Sequence, residues 1–251
     1  MIIVKATFSR DALLNVPSNE RALFLALGHL ADEITALNKL LLWANEFDAR
    51  NEAEGDGKLT LVLLIIRLLA GKLKEAWELL RKGFYGSRLS REYEPSIADQ
   101  GKEALSNIKK YFGATNLLSK IRDTYSFHYS LAEIDASFPK IPESLHLYLE
   151  KGGTSNNLYY FAELAAAHAM LEHAKTADDP IGYTRLYEEV NRVAGWVAVA
   201  ADSLMAHFIS RHGQGIWERT AEEVVFDTLP NLLSIKLPWF TDPEEAYKGS
   251  A

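Results

Sequence analysis

The run "LTLVLLIIRLLA", Leu59 to Ala70, restricts the fold more than any other part of this chain. A helix that is apolar on nearly every face has to sit in the middle of a domain. The run is far short of the roughly 20 residues needed to span a bilayer, and Arg67 interrupts it. It therefore reads as a buried core helix, and its neighbours should be helices able to cover it. The preceding segment fits. Leu23, Leu27, Leu30, Ile34, Leu37, Leu41 and Ala44 step by three or four, which predicts one long amphipathic helix. Ser18 stands as its N-cap, and Glu20 puts a negative charge in the first turn, where the helix dipole favours it. "EAEGDGK", with two glycines among acids, predicts a tight turn, and the next helix runs from about Leu59 to Gly83. Two long helices with a short polar connection should form an antiparallel hairpin.

Further helices are predicted at about Ile97 to Phe112, from Asn116 through Ser130, at Leu158 to Lys175 and at Ile181 to His212. "FYGSRLSREYEPS" reads as a basic, aromatic connector, and "SFPKIPES" and "EKGGTSNN" as loops. A single extended piece is expected at Ile2 to Phe8. The fold class is all-α, a bundle of long antiparallel helices, in one domain over residues 1–251. With 251 residues and 48% apolar side chains, the chain can bury a sizeable core. The "PWFTDPEEAY" tail either docks onto this bundle or serves a partner.

Composition narrows the chemistry. A net charge of −7 argues against coating duplex DNA through bulk positive charge, while leaving room for a small local RNA or nucleotide site. There are no cysteines, so disulfides, thiolate metal sites and cysteine nucleophiles are excluded. The apolar start is too short for a signal-peptide core, and the expected setting is soluble and cytoplasmic, with no membrane partner. No metal or cofactor is expected. Glu143 and His146 have the spacing found in di-iron bundles, but those sites need two such pairs and two more carboxylates. His168 with Glu172 offers too few ligands, and His168 and His173 fall on different faces. "GQG", Gly213 to Gly215, reads as a helix stop.

The segment "KIRDTYSFHYS", Lys120 to Ser130, stands out. On an α-helix, Arg122 and His128 lie about 120° apart around the axis and about 9 Å apart along it, with Tyr125 between. One copy cannot close both side chains on one small atom, whereas two copies facing each other can, which points to a homodimer. The plain alternative is a half-buried core histidine and an arginine paired with a neighbouring acid.

"IRDTYSFHY" resembles the signature of the HEPN superfamily: an arginine, a polar neighbour and, four to six residues on, a histidine. Arg122, Asp123 and His128 match it, and Tyr129 suits its ending. The resemblance covers at most the first half to two-thirds of the chain, a core of about 18–175 with a helical extension of about 176–251. It implies metal-independent RNA cleavage, in which a 2′-hydroxyl attacks the adjacent phosphate. His128 would be the general acid or base, because an imidazole holds both protonation states near neutral pH. Arg122 would grip the phosphate, and Asp123 would orient Arg122 or the partner's histidine. Tyr129 and Tyr125 would line the cleft and stack on bases. The setting it suggests is a toxin or defence effector with an antitoxin protein. The rival is a non-catalytic helical protein binding nucleotides or a protein partner, and a purely structural bundle stands third. Arg88 and Arg91, with Arg81, Lys82, Phe84, Tyr85 and Tyr93 around them, add a second RNA-binding expectation, against the plain reading of a solvated connector.

Overall fold

The computed structural model describes residues 2–5, 7–126, 130–153, 156–179, 181–213, 222–226 and 228–242. It is all-α. A strand β1 (Ile2–Lys5) and a short helix α1 (Arg10–Leu14) precede α2 (Ser18–Asn45) and α3 (Glu52–Leu79). A π-helical turn, Leu80–Tyr85, continues α3 and is followed by α4 (Leu89–Tyr93), α5 (Asp99–Phe112) and α6 (Leu117–Ile121). A second π-helical turn, Arg122–Ser126, precedes α7 (Leu131–Ser137). Then come a small hairpin, β2 (Glu150–Lys151) with β3 (Asn157–Leu158), the helices α8 (Tyr160–Leu171) and α9 (Tyr183–His212), and strand β4 (Glu222–Val225).

Two compact units divide these elements, and neither is continuous in sequence. The first takes residues 1–36, 72–116 and 191–231, the second 37–71, 117–190 and 232–251. The division does not follow the expected boundary near residue 176, because α2, α3 and α9 each contribute one part to each unit.

In the first unit α2 and α3 run antiparallel. Lys72 Nζ meets Glu33 Oε1 at 2.6 Å, and a Cβ at Gly83 would lie 3.2 Å from Leu23, so the two pairs occur in opposite chain order. Leu73, Ala76, Leu80 and Phe84 are fully buried, with Leu105 and Ile108 of α5 and Val193, Val197 and Leu204 of α9. Each large aliphatic group removed from water here contributes about 1.5–3 kcal/mol. Trp77 stacks on Phe112, and Phe24 stacks on Phe208. β1 pairs antiparallel with β4, Ile2 opposite Val225 and Lys5 opposite Glu222, with an ion pair of 2.8 Å at the last position.

This unit also buries a carboxylate. Glu20, in the first turn of α2, is 2% exposed. It accepts hydrogen bonds from the Tyr93 hydroxyl and from His212 Nε2 (2.7 Å), with Arg211 Nε 3.8 Å away. Burial pushes its pKa up, and the Tyr93 and His212 hydrogen bonds with the Arg211 charge outweigh that, holding the carboxyl below its ordinary value. Arg211 also binds Glu92 at 2.8 Å and lies over the Tyr93 ring.

In the second unit, Val62, Leu63, Ile66 and Leu69 of α3 are at most 1% exposed, which agrees with the reading of "LTLVLLIIRLLA" as a core helix. The acidic stretch before it is not a turn. Residues of "EAEGDGK" form the first turns of α3, because Asn51 Oδ1 accepts from Glu54 N (3.0 Å), Arg50 pairs with the Glu54 carboxylate, and Glu52 and Glu54 complement the dipole. "EKGGTSNN" holds β2 and the first residue of β3, so the expected turn or loop is part of a hairpin. The tail docks within this unit: Trp43 Nε1 donates to Leu232 O (3.1 Å), and Asn156 exchanges two hydrogen bonds with the Thr241 backbone (2.7 and 2.9 Å).

Among the described residues, α9 is long and apolar enough to cross a membrane by length and composition. Its large apolar residues Leu186, Val190, Val193, Val197, Leu204 and Phe208 are buried at steps of three, four and seven, while Glu188, Arg192 and Asp202 are exposed. That is the pattern of an amphipathic helix packed against protein.

Candidate functional site

Helix α6 seats the motif. Leu117, Leu118 and Ile121 are buried, so the chain reaches Arg122 from a fixed base. It does not continue as an α-helix to Ser130, as periodicity predicted. From Arg122 to Ser126 it winds as a π-helix, so the angles worked out for α geometry do not carry past Ile121. Ser126 Oγ marks the change: it donates to the carbonyl of Arg67 in α3 (2.7 Å). Short π-helical segments of this kind recur at functional sites.

Arg122 Nη1 lies 3.0 Å from Asp123 Oδ1, with the two side chains 33% and 58% exposed. Arg122 and Asp123 are thus brought together, with the Arg122 side chain partly exposed. His128 and Tyr129 lie outside the described residues.

Tyr125 is a correction to the expected role. It is 6% exposed, so little of its ring is open to a base. Its hydroxyl lies 3.4 Å from His173 Nε2 and 3.5 Å from Glu133 Oε2. Burial, then the Glu133 charge and hydrogen bond, pushes the phenol up to about 12. Lys120 Nζ donates to Glu133 (3.0 Å) and, against some opposition from burial, holds that carboxyl below its ordinary value. His173 Nε2 is 3.5 Å from the same carboxylate, and its side chain is 30% exposed.

His173 is the functional candidate that sequence reasoning missed. It was weighed only against His168 as a metal ligand, and 48 residues separate it from Tyr125. The local signal was a helix-terminal histidine just beyond α8, which is too common to single out. His168 itself lies 3.6 Å from Glu172, with burial and then the Lys175 charge lowering its pKa. No cluster of three metal-ligating side chains occurs among the described residues.

The basic connector belongs to the first unit, and Arg122 to the second. Arg88 and Arg91 are exposed. The aromatic residues near them have structural roles: Phe84 and Tyr93 are buried, and Tyr85 donates to Leu105 O (3.4 Å) with Lys109 over its ring. Arg81 and Lys82 both face Glu78, whose carboxyl is held down to about 2, first by the Arg81 hydrogen bond.

Protein-family models, curated proteins and solved structures were compared with the chain, and none matches.

Proposed function

We propose that this protein is a HEPN-like endoribonuclease that works as a homodimer in the cytoplasm and cleaves RNA without a metal. The observation that supports this reading is the partly exposed Arg122 side chain, 3.0 Å from Asp123 on a π-helical turn. A planar guanidinium fork matches two oxygens of a phosphodiester, and a neighbouring carboxylate fixes its orientation. In the reaction, the ribose 2′-hydroxyl loses its proton and attacks the adjacent phosphorus, and the 5′-oxygen leaves with a proton. The products are a 2′,3′-cyclic phosphate and a 5′-hydroxyl. Arg122 stabilises the charge that grows on the non-bridging oxygens, and His128 moves the protons. Asp123 is the positioning residue for Arg122. A toxin or defence effector restrained by an antitoxin protein would suit such a nuclease.

A second reading is a non-catalytic protein that binds nucleotides or a partner. It is favoured by the burial of Tyr125 and by the Lys120–Glu133–His173 network, which gives the motif turn a packing role.

Purified protein incubated with mixed RNA, with and without chelator, separates the two. Cleavage that survives the chelator and falls at least about 100-fold in Arg122→Ala and in His128→Ala, with helical content retained, is the expected result. Equal cleavage by wild type and both variants removes the catalytic reading.

A further inference from the structure

One short segment of the second unit turns three large apolar side chains to solvent. Leu145, Leu147 and Leu149 are 45%, 43% and 51% exposed, and they alternate with His146, Tyr148 and Glu150. The segment leads directly into β2. Tyr148 and Glu150 turn the other way: the Tyr148 hydroxyl donates to Asp56 Oδ2, and Glu150 Oε2 is shielded from water. Facing that alternates every second residue belongs to an extended strand. A strand with one face in water ordinarily puts polar residues there, and this one puts leucines.

The backbone shows which edge is open. In an antiparallel ladder, alternate residues direct their N–H and C=O groups to opposite edges. Tyr148 O accepts from Phe161 N (2.8 Å), and Gly152 N donates to Asn156 O (3.1 Å), so the even-numbered residues use the β3 side. Leu147, Leu149 and Lys151 therefore direct theirs to the opposite edge. Among the described residues, the N–H and C=O groups of Leu147 and Leu149 make no hydrogen bond. Unmet backbone groups beside exposed apolar side chains are a template for another strand.

The segment is its own complement. Antiparallel pairing of two copies about Leu147 sets Leu147 against Leu147, and Leu145 against Leu149 of the second copy, twice by symmetry. The two Leu147 residues exchange N–H and C=O, and each Leu149 N–H meets the Leu145 carbonyl opposite. Leu145 N–H is already held by Pro142 O (2.9 Å), which ends the ladder there. All the leucines then share one face, where cross-strand neighbours pack. The ends match in charge as well. In this register Glu143, in the turn that leads into the segment, falls opposite Lys151. Both are exposed and without an ion pair among the described residues. Sliding by two residues sets Leu145 against Lys151, so apolar pairing and charge pairing select the same register.

We propose that the edge formed by residues 145–149 pairs antiparallel with the same edge of a second copy of this chain, joining two β2–β3 hairpins into one four-stranded sheet across a two-fold axis. The nuclease reading calls for a homodimer without naming a surface. This surface is argued without Arg122 or His128 and does not rest on that reading.

The test uses the full chain. Analytical ultracentrifugation should show a monomer–dimer equilibrium. Leu147→Lys sets two like charges against each other on the axis and should weaken association at least about 100-fold. The side chain is exposed in a single copy, so the variant keeps its fold, as circular dichroism will show. Glu143→Lys should weaken association about tenfold, and Glu143→Lys with Lys151→Glu should restore it. The chain has no cysteine, so Leu147→Cys reads the register directly. Hydrogen-bonded antiparallel partners lie about 5.5 Å apart at Cα, within disulfide range. Mild oxidation should link Leu147→Cys into a covalent dimer and leave Leu131→Cys, 79% exposed elsewhere in the unit, unlinked. A chain that stays monomeric up to millimolar concentration overturns the proposal. So does a dimer that Leu147→Lys leaves intact, a charge swap that fails to restore it, or a Leu147→Cys variant that does not cross-link. None of these results touches RNA cleavage, and loss of cleavage in the nuclease test leaves this edge standing.

Discussion

The two units treat buried polarity in opposite ways. In the first, Glu20 is sealed from water, yet Tyr93, His212 and Arg211 all attend it. In the second, Thr60, Asn157, Trp239, Glu150, Asn38 and His168 each keep a shielded polar atom with no hydrogen-bond partner among the described residues. A fully satisfied network makes a unit rigid and specific, whereas orphan groups mark a place where something else completes the structure. Among the described residues the first unit thus closes its buried network, while the second, which holds the Arg122 turn, leaves such atoms open.

Breaking the scaffold network should have the largest effect. Glu20→Ala leaves Tyr93 and His212 without their shared acceptor inside the unit, and a loss of about 3–5 kcal/mol is expected by denaturant titration. A loss below about 1 kcal/mol would mean the network is not closed. Tyr93→Phe removes one donor and should cost about 1–3 kcal/mol, read by native-state hydrogen exchange on α2 amides. Glu20 also sets a pH signature. Its folded pKa lies below the ordinary 4.5, so its stabilisation is present above about pH 4.5 and is lost as pH falls through the folded value.

Glu150 should show the reverse sign in the second unit. Burial, then the charges of Asp56 and Glu52, raise its pKa above 4.5. Its neighbourhood is crowded with acid and phenol: Asp56, 8% exposed, accepts from both Tyr148 and Tyr160. The group is tolerated without penalty below about pH 4.5, and stability falls as pH rises through its folded value. Glu150→Gln should thus stabilise the β2–β3 hairpin at neutral pH by about 0.5 kcal/mol, with no gain at pH 4, as read by exchange of the hairpin amides. A loss at neutral pH would overturn the assignment. The smallest effect belongs to Thr60→Val. Removing an orphan hydroxyl breaks no hydrogen bond and lifts a desolvation cost, so stability should not fall. A cost near that of Tyr93→Phe would show that Thr60 is satisfied after all, and the contrast between the units would narrow.

Reading the chain in one dimension recovered the long helices well. The seven-residue apolar stripe of α2, the all-apolar run in α3 and the stop at Gly113 are local signals, and the helices follow them. "EAEGDGK" misled because glycine and acid signal a turn in general, while Asn51 and the dipole make acids welcome at a helix start. The pairing of β1 with β4 was beyond reach, since the partners lie about 220 residues apart and neither strand alternates clearly. The candidate site was legible only as Arg122 and Asp123, adjacent in sequence. The π-helical turn, the burial of Tyr125 and the approach of His173 depend on contacts with α3, α7 and the end of α8.

The helical class, the order of the long helices and the adjacency of Arg122 and Asp123 were determined by the sequence alone, because each rests on residues a few positions apart. Tertiary structure alone decided which buried polar groups find partners. Glu20 needs side chains 73 and 192 residues away, and Arg67 pairs with Glu163 from 96 residues away. A hydrogen bond acts only at about 3 Å, and no spacing along the chain sets such a distance between remote residues.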